Sequence, residues 1–168
     1  MGNRLPDREA RAKEFFFDAV QRLPEHTFLL GGSGWESEVG RFANLKYAGH
    51  VYTRDHNAFN VSPLAVLNVN RDSMAKTGYS PPTRVFEAAG AGGCLIMDEW
   101  EGAELFLEPG REVLLASNGE DVVEHLRTLT PERARSIGQA ARERTLRENT
   151  YQQRALQVEA LFVERLGR

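Results

Sequence analysis

The chain has 168 residues, of which 41% are hydrophobic and 27% are charged, as expected of one globular domain with its own core. Its 21 basic and 24 acidic residues are mixed along the chain and give a net charge of −3, which excludes the basic patch of a nucleic-acid-binding protein. A single cysteine, Cys94, excludes an internal disulfide framework and fits a reducing compartment. No apolar run has membrane-spanning length and no signal peptide is apparent, so we expect a cytoplasmic protein.

Short apolar runs alternate with helical patterns along the chain. The runs predict five strands, at residues 27–30, 45–48, 64–69, 94–97 and 112–115. Helices are expected over residues 7–23 with Asp7 as N-cap, over residues 55–59, around Glu87, from residue 118, from Thr130 as N-cap, and after Thr150. Strands interleaved with helices predict an α/β domain with a parallel sheet, and no linker or repeat divides residues 1–168.

Ligands of such a sheet bind in the loops that follow the carboxyl ends of its strands. These loops are expected at residues 31–35, 49–52, 70–82 and 98–102, and Gly32 in the first loop is a candidate substrate-binding residue. The glycines of that loop form neither a P-loop nor a dehydrogenase fingerprint, and the four histidines lack metal-ligand spacing, so no metal site is expected. Three acids of the last loop either bind sugar hydroxyls or, more simply, begin a helix: Asp98, Glu99 and Glu101.

The segment at residues 78–98 is the most informative part of the sequence. Pro81 and Pro82 open a helix whose free N–H groups suit a phosphate. Thr83 and Arg84 lie in its first turn, where Arg84 either binds a diphosphate in a bidentate way or is a solvated surface residue. Glu87 is flanked by apolar residues, and an unpaired buried carboxylate is costly. A ligand hydroxyl explains this acid, as does pairing with Arg84 or capping of the backbone.

Two segments resemble the CgeB-like glycosyltransferases, also described as the group 1 glycosyltransferase C-terminal domain. They are residues 78–102, GYSPPTRVFEAAGAGGCLIMDEWEG, and residues 105–116, LFLEPGREVLLA. The resemblance extends over almost the whole chain, including residues 120–122 and 149–154. It implies the GT-B fold, in which two Rossmann-like domains face each other across the active-site cleft. The chain is then expected to be the C-terminal half, a three-layer Rossmann-like domain that binds the nucleotide-sugar donor.

The same resemblance assigns roles to individual residues. Glu87 matches the glutamate that binds the ribose hydroxyls of the nucleotide. Tyr79 stands where many retaining relatives have a second glutamate, eight positions earlier, and this departure leaves the catalytic residues unassigned. Tyr79, Ser80 and the loop amides are expected to contact the sugar or the diphosphate instead. Residues 46–51 resemble the strand and loop that hold the base, with His50 and Val51 as the candidate contacts.

The first four residues resemble the end of the domain's first strand and the start of its phosphate-facing loop. In similar enzymes a basic residue there helps to neutralise the diphosphate, and Arg4 is the candidate. The alternative is a frayed terminus. A domain that begins in this way suggests that an acceptor-binding domain precedes it in a longer protein, and we expect the isolated chain to be inactive.

These observations together predict the donor-binding domain of a glycosyltransferase. The expected reaction displaces a nucleoside diphosphate from a nucleotide sugar by an acceptor hydroxyl, with no metal and no cofactor other than the donor. Two alternatives stay open, namely a non-catalytic nucleotide-binding, sugar-binding or regulatory α/β module, and a nucleotide-sugar epimerase with the same two-domain architecture. No nucleic-acid partner and no membrane span are expected.

Overall fold

A computed structural model describes residues 2–167. The five strands that the sequence predicts are present in chain order, with α-helices before β1, between β2 and β3, between β3 and β4, and after β5. The strands are β1 (Phe28–Gly31), β2 (Leu45–Gly49), β3 (Val66–Asn68), β4 (Leu95–Asp98) and β5 (Leu114–Ala116). The α-helices are α1 (Pro6–Ala12), α2 (Asp18–Arg22), α3 (His56–Val61), α4 (Asp72–Thr77), α5 (Thr83–Ala91), α6 (Gly119–Thr128), α7 (Pro131–Glu148) and α8 (Tyr151–Leu166), and a π-helical turn (Lys13–Phe17) joins α1 to α2.

All strand pairs are parallel, which confirms the predicted fold class, but the strands form two sheets rather than one. β1 pairs with β2, and β3, β4 and β5 form a second sheet in that order. From β1 the chain adds β2 on one side, whereas from β3 it adds β4 and β5 on the opposite side. The direction in which strands are added therefore reverses between β1 and β3. In a doubly wound α/β fold, such a reversal marks the crevice where ligands bind.

Helices cover both faces of the β3–β4–β5 sheet, and for this reason every residue of β4 is buried. On one face, Ile96 and Leu114 pack with Phe15 of the first helical segment and with residues of α6 and α7. On the other face, Leu95 and Met97 pack with residues of α5 and α7. The three layers of helix, sheet and helix agree with the predicted Rossmann-like architecture.

The structure corrects some element boundaries. The first helix begins at Pro6, and the N-cap is Leu5 rather than Asp7, which lies in the first turn. The loop expected at residues 70–82 contains α4, and the third strand is shorter than predicted. Thr130 and Thr150 are N-caps as predicted, since their side chains accept hydrogen bonds from the N–H groups of Arg133 and Gln153. Within residues 2–167, no helix combines the length and the apolar character needed to cross a membrane.

Candidate functional site

A cavity of about 400 Å³ opens between β1 and β3, at the crevice where the strand order reverses. At the carboxyl ends of the strands, its lining includes Asn68 at the end of β3, Asn70 just after that strand, and the first residues of α5. α5 begins at Thr83 directly after Pro82, as the sequence predicts. The N–H groups of its first turn and its positive dipole end therefore lie at the polar end of the cavity, where an anion is stabilised.

Three arginines line this cavity: Arg8 from α1, Arg71 before α4, and Arg84 from α5. Burial lowers the pKa of Arg8, and the charge of Arg71 lowers it further. Burial also lowers the pKa of Arg84, although Glu87 opposes this effect. Because Arg8 and Arg84 are partly buried and the charges of Arg8 and Arg71 repel each other, a bound anion would stabilise these cations.

Arg84 is not the solvated surface residue that the sequence left as an alternative. Its side chain is only 18% exposed, and its Nη1 group donates a hydrogen bond to Oδ1 of Asn60 at 3.3 Å. Asn60 is buried in α3, and no partner of its Nδ2 group is present among the described residues. Arg84 therefore connects α5 to α3 beside the cavity.

Glu87 lies one turn after Arg84, and its carboxylate faces outward. The side chain is 42% exposed, and its Oε2 atom is 3.6 Å from Nη2 of Arg84 and 3.9 Å from Nδ1 of His56. The expectation of a buried carboxylate is wrong, because α5 turns Val85, Ala88 and Ala89 toward the core instead. The pairing with Arg84 is the alternative that the sequence offered, and the ribose-binding role of Glu87 stays a prediction.

The base-binding loop predicted after β2 lies close to this acid. The Nε2 atom of His56 is 3.3 Å from the carbonyl oxygen of Val51, so one imidazole connects the loop to Glu87. His50 is exposed, and its ring stands edge-on against Tyr52 at 4.7 Å between centroids. His50 and Val51 thus lie on the loop that borders α3, and their contacts to a base stay predictions.

The backbone N–H and C=O groups of Gly32 both form hydrogen bonds within the protein. Its N–H donates to the carbonyl of Gly49 at 2.7 Å, and its carbonyl accepts a hydrogen bond from the hydroxyl of Tyr47 at 2.8 Å. Its φ of 120° favours glycine, and a Cβ atom there would collide with the carbonyl of Gly2. Gly32 therefore permits the close approach of the N-terminal segment, and direct substrate contact stays a prediction.

Arg4 is already paired inside the molecule. Its Nη2 and Nε groups bind the two carboxylate oxygens of Glu9 at 2.7 Å and 3.1 Å, and its Nη1 group donates to Ser37 at 2.9 Å. The hydrogen bond to Glu9 raises the pKa of Arg4. Arg4 is not among the residues that line the cavity. A role at the diphosphate, which stays a prediction, would require this pair to open.

The expected strand end at residues 1–4 is visible from Gly2 onward, and Met1 lies outside the described residues. The N–H of Gly2 donates to the carbonyl of Gly31 at 2.8 Å, and the N–H of Arg4 donates to the carbonyl of Ser33 at 2.9 Å. Residues 2–4 therefore run alongside the end of β1 and are not frayed.

The Tyr79 loop contacts the loop after β4. Tyr79 donates hydrogen bonds from its N–H to the carbonyl of Glu101 at 2.7 Å and from its hydroxyl to the Glu101 carboxylate at 2.9 Å. Its φ of 49° is the only positive value at a non-glycine residue among residues 2–167. Such strained backbone occurs preferentially at functional sites. Ser80 follows in the same loop and Thr83 is the first residue of α5, and both are exposed; the substrate contacts of these residues and of Tyr79 stay predictions.

The acids at the end of β4 and in the loop after it form hydrogen bonds within the protein. Asp98 is fully buried and accepts hydrogen bonds from Nη2 of Arg11 at 2.7 Å and from the N–H of Asn70 at 3.0 Å. Burial raises the pKa of Asp98, although both hydrogen bonds oppose that change. Glu99 accepts a hydrogen bond from Ser117 and Glu101 accepts one from Tyr79. These carboxylates hold the strand ends together, and sugar hydroxyls are not needed to explain them.

Residues 8–160, most of the chain, match a family model described as glycosyl transferase-like. The chain belongs to the glycosyl transferase-like family. A comparison with curated proteins gave no match.

Solved structures similar to this glycosyl transferase-like chain share its fold at low sequence identity. S. aureus TarM is 12% identical with a TM-score of 0.71, over 96% of this chain and 34% of TarM. Sucrose-phosphate synthase from Thermosynechococcus elongatus is 17% identical with a TM-score of 0.67, over 88% of this chain and 41% of the synthase. Anabaena HepE in complex with UDP-glucose is 14% identical with a TM-score of 0.66, over 95% of this chain and 47% of HepE. The chain thus spans about a third to a half of these proteins.

Sequence reasoning missed several residues that the fold of this family member brings to the site. Arg8 and Arg71 line the cavity although they are 63 positions apart in sequence. Asn60 and His56 reach Arg84 and Glu87 from α3. His56 had a weak signal, since it follows a predicted site loop, whereas nothing in the sequence distinguishes Arg8 and Arg71 from the other arginines.

Proposed function

We propose that this chain is the donor-binding domain of a GT-B glycosyltransferase and that it binds a nucleotide-diphospho-sugar. The observation that carries the proposal is the convergence of Arg8, Arg71 and Arg84 with the N-terminus of α5 at one end of the cavity. Family membership supports it, and so do the fold similarities to HepE, solved with UDP-glucose, and to TarM, solved with UDP.

The arginine-rich end of the cavity suits a diphosphate. Guanidinium groups bind phosphate oxygens in a bidentate way, and helix amides add donors without a charge of their own. The partial burial of Arg8 and Arg84 strengthens their attraction to an anion, because water screens them less. Thr83 and Ser80, which are exposed on the adjoining turn, supply hydroxyl donors for the same oxygens.

The ribose and the base are assigned to the side of the site next to α3. Glu87 has two carboxylate oxygens that can accept hydrogen bonds from neighbouring ribose hydroxyls. Arg84 and His56 orient this carboxylate from either side. The loop with His50 and Val51 borders the same cluster, since His56 contacts the Val51 carbonyl. A ribose at Glu87 would therefore direct the base toward this loop.

The proposed chemistry is transfer of the sugar to an acceptor hydroxyl. The acceptor oxygen forms a bond to the anomeric carbon, the bond from that carbon to the diphosphate oxygen breaks, and the nucleoside diphosphate leaves with the electron pair. The arginines and the α5 amides stabilise the charge that develops on the leaving group. Acceptor binding and deprotonation are assigned to another domain, so the chain by itself is expected to bind the donor without turnover.

The test is a thermal-shift and calorimetric panel of UDP-, GDP-, ADP- and dTDP-sugars on the chain. One of them should raise the unfolding midpoint, because a ligand of the native state stabilises it by mass action. Arg71→Ala should weaken that binding by about tenfold or more, since hydrogen bonds to charged groups contribute about 1.5–3 kcal/mol. Glu87→Ala should weaken binding of the nucleotide sugar but not of inorganic diphosphate.

The matched control is Arg135→Ala, which removes an exposed arginine of α7 that pairs with Glu132 away from the cavity. This variant should bind the donor as the unmodified chain does. Equal affinities of the Arg71→Ala and Arg135→Ala proteins would contradict the assignment of the diphosphate site.

A further inference from the structure

α3 and α5 pack against each other beside the proposed ribose site. His56 of α3 faces Glu87 of α5. One turn further along α3, Asn60 accepts a hydrogen bond from Arg84 of α5. We propose that His56, with both ring nitrogens protonated, couples the loop after β2 to Glu87, so that this proton controls how tightly the nucleoside part of the donor binds. The inference rests on the proposed function and adds a regulation of the same site.

Both ring nitrogens of His56 face oxygen atoms. Nε2 is 3.3 Å from the carbonyl oxygen of Val51, and Nδ1 is 3.9 Å from Oε2 of Glu87. These two contacts form the His56 bridge between the loop and α5. A neutral imidazole carries a proton on only one nitrogen, so the other nitrogen would turn a lone pair toward an oxygen. The imidazolium carries a proton on each nitrogen, and both contacts are then attractive. The arrangement therefore favours the charged form of His56.

The charged groups around His56 act on its proton in opposite directions. Glu87 attracts the imidazolium, whereas the guanidinium of Arg84 on the same helix repels it. Arg54 and Asp55, on the turn before α3, are exposed and pair with each other at 3.5 Å, so their net effect on the ring is small. A diphosphate bound at Arg84 would offset the repulsion. Proton and donor therefore favour each other's binding, because such coupling between two sites is reciprocal.

The His56 bridge leaves one carboxylate oxygen of Glu87 for a ligand. Arg84 and His56 both pair with Oε2, at 3.6 Å and 3.9 Å. Because the Glu87 side chain is 42% exposed, Oε1 can accept a hydrogen bond from a ribose hydroxyl. Deprotonation of His56 would leave Arg84 as the cation at Oε2 and would release the Val51 loop from α5. The ribose contact and the base contact would then no longer be held in one fixed arrangement.

His56 can exchange its proton with solvent, since its side chain is 27% exposed. Histidine is the side chain that changes its charge near neutral pH, so a bridge of this kind responds to pH in the physiological range. His50 is the other histidine of this region, but it is exposed and its ring stands edge-on against Tyr52. Substitution of His56 alone therefore separates the bridge from any effect of His50.

The first experiment measures the affinity for UDP-glucose by calorimetry at pH 6 and pH 8. The diphosphate of UDP-glucose is esterified at both ends and does not titrate in this range, so a change in affinity reports on the protein. We expect binding to be about fivefold tighter at pH 6, which is the lower end of typical couplings between two sites. His56→Gln and Glu87→Gln should each bind equally at both pH values, because either change removes the charged contact.

The matched control is His125→Gln. His125 lies in α6, where its ring contacts the Leu115 carbonyl, and it is not among the residues that line the cavity. Glutamine keeps a donor for that carbonyl, and the variant should retain the fivefold ratio between pH 6 and pH 8.

The second experiment needs no ligand and separates this inference from the proposed function. The carboxylate carbon of Glu87 and the carbonyl carbon of Val51 are followed by NMR between pH 6 and pH 8. Because these two groups lie at the ends of the His56 bridge, we expect both carbon signals to shift together with the signals of the His56 ring. In the His56→Gln protein the shift at both ends should disappear.

Two results would overturn the proposal. One is that the two carbon signals do not follow the His56 ring, which means that the bridge is absent whatever the affinity. The other is a UDP-glucose affinity that is equal at pH 6 and pH 8, or a fivefold ratio that persists in the His56→Gln protein. If the carbon signals follow the ring but no nucleotide sugar binds at either pH, the bridge is supported and the proposed function fails. If His56→Gln does not fold, Glu87→Gln tests the same contact from an exposed side chain.

Discussion

Glu9 of α1 binds Arg4 of the N-terminal segment. Its carboxylate binds Arg4 through two hydrogen bonds and lies 3.0 Å from Nζ of Lys13. The hydrogen bonds from Arg4 and Lys13 lower the pKa of Glu9 from 4.5 to about 2. An acid whose pKa is lower in the folded state stabilises the fold above its unfolded pKa, and this stabilisation disappears as the pH falls through the folded value.

We therefore predict that Glu9→Gln lowers the midpoint of urea unfolding at pH 6, and that the difference from the unmodified chain shrinks between pH 4.5 and pH 2. The measurement is the urea midpoint at pH 6, 4 and 2.5 for both proteins. Glu124→Gln, on the exposed side of α6, is the control and should show no such trend. A difference that stays constant with pH would contradict the role of the Glu9 charge.

The burial of Glu87 was predicted wrongly because the prediction relied on the residues next to it in sequence. Its apolar flanks predicted a buried acid, yet residues next to each other on a helix point about 100° apart. Val85, Ala88 and Ala89 define the buried side of α5, and Glu87 falls outside that stripe. A count of positions at helical spacing, rather than adjacency, would have placed Glu87 near the surface.

At the scale of elements, the packing of α5 against α7 depends on a close approach at one glycine. A Cβ atom on Gly138 of α7 would collide with the backbone carbonyl of Gly92, which ends α5. We predict that Gly138→Ala lowers the free energy of unfolding by about 1–3 kcal/mol, because the two helices must separate. Urea unfolding at pH 7 measures this change.

The matched substitution is Gly90→Ala in α5. A Cβ atom there would meet only Cγ2 of Thr145 at 3.7 Å, which is an ordinary contact. Alanine is favoured over glycine in a helix by about 0.5–1 kcal/mol, so this variant should be as stable as the unmodified chain or more stable. If both variants lost stability equally, the close approach at Gly138 would not be the cause.

Whole-molecule stability is expected to reside in residues 6–148, with little contribution from α8. Nearly all residues of this last helix are exposed, including Leu156, Leu161 and Phe162. We predict that a chain ending at Arg154 changes the free energy of unfolding by less than about 0.5 kcal/mol, as is usual for surface changes. Calorimetry and urea unfolding of the shortened chain provide the measurement.

Ile137→Ala in α7 is the contrasting variant. Ile137 is 3% exposed and packs with the core beneath the β3–β4–β5 sheet. Its truncation should cost about 2–5 kcal/mol, because it removes apolar contacts and leaves a cavity. A shortened chain as unstable as this variant would show that α8 belongs to the cooperative core.

The amino-acid sequence alone determined the order of the five strands, the parallel α/β class and the helix starts at Thr130 and Thr150. These features depend on periodicity and capping within a few residues, so they can be read locally. Only the tertiary structure paired Arg4 with Glu9, collected Arg8, Arg71 and Arg84 at one cavity, and separated β1 from β3. Those contacts join residues far apart in sequence, and packing of the whole chain decides which of them meet.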